Sequence, residues 1–303
     1  MADGTEINAQ GKSIFFSRPP QEIRDEIYRH VWSGTRLSFG SQIRPGSNSL
    51  ALRGTCRRMR FEIGDKWLRY TLFDFGGPSI MFYKLAPLPI ETISKIRHVR
   101  VYGDTHRYGL FELPGLQLDL LTVLGDSNPY DSYISVQYMI AGGNGWKELH
   151  YITKTPEMLA YALQNGVKRQ PQPSCWQQLL DNRDTASAEP QVTIYLSTKH
   201  KSAGSVMDPE TRDILEQTIP TGQDPEGYGV DEDQELLLKK YHEVLIIVKR
   251  GTGVDYKQHN EPLHSWDRHL LRAASKMANA RVRRGTDADV YTHPYEYYWD
   301  YPE

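Results

Sequence analysis

Between residues 18 and 32 the chain reads RPPQEIRDEIYRHVW, with apolar side chains at helical spacing: Ile23, Ile27 and Val31 every four residues, Tyr28 and Trp32 one step round. Pro19 and Pro20 supply the fixed φ of a helix start, and Glu22, Asp25 and Glu26 place negative charge near the positive end of the helix dipole. Gly34 can close the helix. After a Gly/Ser-rich link, a second helix is expected over residues 49–69, LALRGTCRRMRFEIGDKWLRY. Ala51, Thr55, Met59 and Ile63 form one row of it, Leu52, Cys56, Ile63 and Trp67 an adjoining row, and Arg53, Arg57 and Arg60 fall on the other side. Gly64 inside this run predicts a kink or a close helix contact.

Beyond residue 70 the period shortens. TLFDF (71–75) alternates like a half-buried strand, and HVRVYG (98–103), after the helical run LPIETISKI, puts Val99 and Val101 on one face. ELHYIT (148–153) precedes PEMLAYALQNGV, which Pro156 and Gly166 bound as a helix. QVTIYLST (191–198) and HEVLIIVKR (242–250) are the most strand-like runs, and the unbroken VLIIV predicts a central strand covered on both faces. Strands alternating with helices predict an α/β fold with a mixed, mostly parallel sheet, α+β being the other class the pattern admits. A final helix is expected over residues 265–285, before an aromatic, acidic tail. The expected division is a helical module over 1–75, an α/β body over 76–285 and the tail over 286–303.

Composition narrows the class of protein. The chain has 303 residues, 39% hydrophobic and 11% aromatic with 19 Tyr, the profile of a folded protein. Its 36 Lys and Arg nearly balance 38 Asp and Glu, for a net charge of −2, so no global field draws it to nucleic acid or anionic lipid. Two cysteines, Cys56 and Cys175, cannot build a disulfide framework or a Cys-rich zinc site, and Cys175 beside Trp176 is expected to be buried and inert. With no long apolar run and no secretory signal pattern, the expectation is a soluble intracellular protein of cytoplasm or nucleus.

Read together, FFSRPPQEIRDEIYRHVW and LALRGTCRRMRFEIGDKWLRYTLFDF resemble the fungal F-box-like proteins of the two-EXR family. Pro20, Glu22, Ile23, Arg24, Ile27 and Tyr28 stand in the first motif, and Thr55, Cys56, Arg57, Arg60 and Glu62 in the second, with IRHVRV following. Arg18 stands where the family usually has Leu, and the second helix ends in GDKW rather than a small apolar turn. The resemblance covers about a third of the chain and implies an N-terminal F-box-like helical module packed on an α/β region. It also implies a Skp-type adaptor of a cullin ubiquitin ligase as one partner and a protein substrate as the other.

The partner-binding residues expected on this basis are Pro20, Ile23, Ile27, Tyr28, Val31 and Trp32. The family pattern further implies that Ile23 and Ile27 pack inward near Cys56 and Met59, with Tyr28 and Trp32 nearer the rim. On that assignment Ile27→Asp costs much stability and Arg24→Ala little.

The remaining motifs assemble no catalytic set, metal site or cofactor site. DPEGYGVDEDQE (224–235) approaches a calcium loop, but Tyr228 and Asp231 break the ligand pattern, and Pro220 interrupts the incoming helix. GTGVDYK (251–257) lacks the spacing of a phosphate loop, His264 and His269 share no helix face, and GGNG (142–145) reads as a turn. Two alternatives to a non-enzymatic interaction protein stand. One is an enzyme site at strand carboxyl ends near Lys249, Arg250 and Asp255. The other is anion or nucleic-acid binding by the arginine face of residues 53–60, a face that Glu62 and Asp65 interrupt.

Overall fold

A computed structural model describes residues 13–40, 57–103, 113–125, 128–159, 173–197 and 241–258. They lie within one compact unit, residues 1–262. Helix α1 (Ile14–Ser17) leads into α2 (Gln21–Ser33), which Pro20 begins and Gly34 ends. Strand β1 (Arg36–Phe39) follows, in what the sequence suggests is only a link. The expected second helix is described from Arg57 and is broken: α3 (Arg57–Ile63) stops at Gly64, whose φ of 51° ends the helix, and α4 (Trp67–Tyr70) restarts after the turn.

Strand β2 (Leu72–Phe75), α5 (Pro78–Leu85), α6 (Ile90–Ile93), β3 (His98–Tyr102) and β4 (Leu118–Leu124) come next. Then follow α7 (Pro129–Gly142), β5 (Trp146–Thr153), α8 (Ser174–Asp184), β6 (Gln191–Ser197) and β7 (Glu243–Lys249). Helix α7 had a readable start in NPYD: the Asn128 side chain accepts from the backbone N–H of Tyr130 at 2.9 Å and of Asp131 at 3.4 Å, with Pro129 in the first turn. PEMLAYALQNGV is described only as a 3₁₀ turn, Pro156–Leu159. The rest of that run, the calcium-like loop, the final helix and the tail lie outside the described residues.

The strands form a seven-stranded sheet in the order β1-β2-β3-β4-β5-β7-β6. The first five are parallel, and β7 is antiparallel to both β5 and β6, so the fold is α/β with a mixed, mostly parallel sheet. Parallel strands added in chain order through right-handed crossovers carry their connecting helices on one face. Trp67 of α4 lies 6.1 Å from Phe73, and Lys84 of α5 lies 5.8 Å over Phe39, which identifies that face. It presents Phe75, Val101, Val123, Tyr151, Ile246 and Ile194 in register, all buried. The opposite face carries a polar row, Asp74, Arg100, Thr122 and His150, which turns apolar at β7 with Ile247. There Ile152, Leu245 and Ile247 pack together, so β7 is covered on both faces as VLIIV predicts, but it is an interior strand one place from the edge and not the central one. TLFDF is not half-buried, because Leu72 and Asp74 are buried on this second face as fully as Phe73 and Phe75 are on the first.

The antiparallel course of β7 also relocates the candidate enzyme site. Lys249 pairs with Glu148, and Arg250 N–H donates to Lys147 C=O at 3.0 Å, so the end of β7 lies beside the start of β5. Lys249, Arg250 and Asp255 therefore sit at the amino ends of the parallel strands, away from the carboxyl-end crevice that binds ligands in open sheets. Arg250 is committed to structure there. Its Nε and Nη2 donate to the buried Asp184 carboxylate at 2.6 and 2.7 Å, which also accepts from Gly251 N–H at 3.0 Å. The adjacent Arg183 donates to the carbonyls of Met139, Ile140 and Gly143 at 3.1, 2.7 and 2.6 Å, closing the end of α7. Burial pushes the Arg183 guanidinium down to about 10, helped by the nearby Arg250 charge and opposed by Asp184. Cys175, expected to be buried, is half-buried, while its neighbour Trp176 is fully enclosed.

This junction predicts that Asp184→Ala, which strands Arg250 in the interior, lowers unfolding free energy by about 3 kcal/mol or more in urea titrations. Lys249→Ala, an exposed change beside it, stays within about 0.5 kcal/mol of the parent.

Candidate functional site

Helix α2 holds two four-residue rows one position apart, and the helix buries the row that hydropathy disfavours. Arg24, Tyr28 and Trp32 face inward, Arg24 being 6% exposed, whereas Ile23 and Ile27 are 52% and 38% exposed. Pro20 is exposed and Val31 half-buried. The inward placement of Ile23 and Ile27 is thus overturned, as is the placement of Tyr28 and Trp32 at the rim, and neither aromatic is open to a partner.

The physical reason lies across the helix pair. Tyr28 and Trp32 cluster with Met59 and Ile63 of α3, packed around by Phe15, Phe16, Trp67 and Tyr70. Two aromatic rings remove more apolar surface from water than the aliphatic row does. Arg24 can enter the interface because Glu62 meets it: Nε donates to Oε2 and Nη2 to Oε1, each at 3.0 Å. Its Nη1 donates to Pro19 C=O at 2.7 Å, and Nη2 also reaches Gln21. The Glu62 carboxylate accepts further bonds from the Tyr28 hydroxyl at 3.0 Å and from Arg58 Nε at 3.1 Å. Burial alone would raise the Glu62 carboxyl, but the bonds from Arg24, Arg58 and Tyr28 outweigh it and hold the group below its usual range. The Glu62 bond conversely raises Arg24. Arg24 and Glu62 belong to the two quoted motif segments, and the fold brings them together.

The outward side of this helical region carries exposed apolar residues. Besides Ile23 and Ile27, Ile14 of α1 and Phe61 of α3 are exposed, Phe61 at 83%. Polar neighbours on α2 include the Glu26 carboxylate, which pairs with Arg29 and with His30 Nε2 at 3.3 Å. The arginine face loses one of its members: Arg58 is committed to Glu62 and stacks 4.6 Å over Phe16, while Arg60 and Arg69 remain exposed. Arg53 and the Arg57 side chain lie outside the described residues.

Sequence reasoning passed over the polar row of the sheet. Asp74 is fully buried on β2 and accepts from Arg36 Nε at 2.9 Å, Arg100 Nε at 2.8 Å and the Ser38 hydroxyl at 3.2 Å. Three strands away, His150 Nε2 lies 2.6 Å from Glu148 Oε1, a contact that holds the Glu148 carboxyl below its usual range. The signal was present as a charge at the centre of an apolar triplet, Phe73-Asp74-Phe75 and Val99-Arg100-Val101.

No group of three or more His, Cys, Asp or Glu side chains among the described residues is placed to hold a metal ion. No helix among them is long and apolar enough to cross a membrane. No family model, no curated protein and no solved structure matches the chain.

The clamp predicts a reversal of the hydropathy order in thermal melts: Arg24→Ala destabilises by about 3 kcal/mol, and Ile27→Asp by about 1 kcal/mol or less. It also predicts an acid transition of known sign. A carboxyl lowered on folding stabilises above its unfolded pKa, about 4.3 for Glu, and that contribution disappears as pH falls through the lower folded value. Glu62→Gln is therefore less stable than the parent at pH 7, and the gap narrows at pH 3 in urea titrations.

Proposed function

We propose that the chain is a non-enzymatic protein–protein interaction protein whose N-terminal helical module docks a Skp-type adaptor of a cullin ubiquitin ligase, while the rest of the fold engages a protein substrate. The observation that carries this reading is the outward exposure of Ile23 and Ile27 on a helix whose inner row is fixed by Arg24 and Glu62. Apolar side chains at i and i+4 on a held helix suit docking into a groove of a partner. Exposed Pro20 begins the same surface, and Val31 lies at its margin. Tyr28 and Trp32 support the helix from inside instead of touching the partner. In this reading the resemblance to F-box-like proteins supplies the partner, and the geometry supplies the face.

The test is co-purification with the Skp-type adaptor of the host, followed by calorimetric titration. The parent is expected to co-elute as a complex. The double variant Ile23→Asp, Ile27→Asp keeps its melting temperature within about 4 °C of the parent and loses the complex. If the parent forms no complex at high micromolar concentration, or the double variant binds unchanged, the adaptor reading is wrong.

A further inference from the structure

The charge on the second face of the sheet is unbalanced where Arg36, Asp74 and Arg100 meet. One fully buried carboxylate serves two guanidiniums, with Arg36 Nε at 2.9 Å and Arg100 Nε at 2.8 Å. The cluster thus holds one more positive charge than negative. Arg100 is 6% exposed, and its Nη2 is buried without any acceptor. A charged donor left unpaired in the interior is costly, so native structures normally supply it with an acceptor. The cluster reaches the surface at Arg36, whose side chain is 29% exposed on β1, the outermost strand.

We infer that Arg36 and Arg100, oriented by Asp74, form a binding site for a phosphate-class oxyanion, reached from the β1 edge of the sheet. A guanidinium presents a planar fork of donors that matches phosphate oxygens, and several oxygens on one anion can address two forks together. Asp74 holds Arg100 through Nε alone and Arg36 through both Nε and Nη2, which leaves Arg100 Nη2, and of Arg36 only Nη1, for the ligand. The Ser38 hydroxyl, 3.2 Å from the same carboxylate, helps to fix its orientation. His150 has a second unpartnered buried atom, Nδ1, but stands two strands from Arg100, roughly 10 Å across the sheet. Arg36 stands as many strands from Arg100, but those two long side chains converge on Asp74, whereas the His150 side chain is bonded to Glu148 and is not counted in the site. The anion can come as free phosphate or as a phosphorylated side chain of a protein, since both present the same oxygens.

The experiment compares melting temperatures of the full chain in 20 mM phosphate and in chloride at equal ionic strength. For millimolar affinity, phosphate is expected to raise the parent by about 3 °C. Arg100→Gln abolishes the rise. Arg36→Gln, a change at the part-exposed rim, gives the same answer if the Arg100 variant does not fold. Titration calorimetry with inorganic phosphate and with a phosphoserine hexapeptide then separates the sources. Tighter binding of the peptide places the anion on a protein, and equal binding indicates the free ion, both of which sustain the site. The absence of any phosphate-specific rise in the parent would overturn the inference and leave the cluster as a purely structural ion triad. A rise of the same size in Arg36→Gln would overturn it equally, as an ion held elsewhere on the surface.

Discussion

The Glu62 carboxylate is the acceptor on which the N-terminal region depends. Arg24 reaches it from α2, Arg58 from its own helix and Tyr28 from one turn further along α2. Without that acceptor, Arg24 at 6% exposure would keep only the Pro19 carbonyl and the Gln21 side chain, and its charge would have no carboxylate to offset the lost water. With it, α2 can turn only one way, and Ile23 and Ile27 are carried to the outside. One ion pair thereby decides which residues of the helix are core and which are available to a partner.

The same device recurs twice in the sheet. Asp74 joins arginines from β1 and β3, and Asp184 binds Arg250 at the end of β7 while lying 3.8 Å from Arg183 Nε. Each carboxylate lies between elements that sequence distance separates, 38 residues for Arg36 to Asp74 and 66 for Arg250 to Asp184. Buried ion pairs add little net stability over well-packed apolar groups, and they penalise any arrangement that leaves a charge unmatched. Their value here is one of register: Asp74 requires β1, β2 and β3 to align so that Arg36 and Arg100 both meet it. The sheet is asymmetric for a related reason. Consecutive parallel strands place their connections on one face, so an aromatic and aliphatic surface forms there, and charge is confined to the other.

Many of the strands and the α/β class were legible in the chain because they rest on local periodicity. VLIIV, HVRVY and QVTIYLS each read as strands, and each is one. Gly64 marked the break between α3 and α4, since tolerance of positive φ is a property of glycine itself. Strand β4, LDLLTVL, and helix α7, despite its Asn-Pro start, are not among the elements the sequence pattern picked out. The short β1 in RLSF could not be told from a link, because four residues carry too little pattern.

By itself, then, the sequence determined many of the helical and extended segments, where glycine and proline punctuate them, and that an apolar sheet forms with helices against it. Only the tertiary structure decided the direction of β7, the face that α2 turns inward, and which arginines share which carboxylate. Those outcomes depend on partners far apart along the chain, and periodicity records the existence of an apolar row without recording what it meets. In α2 two rows compete at the same spacing. The choice between them rests on Glu62, a residue 38 positions away from Arg24.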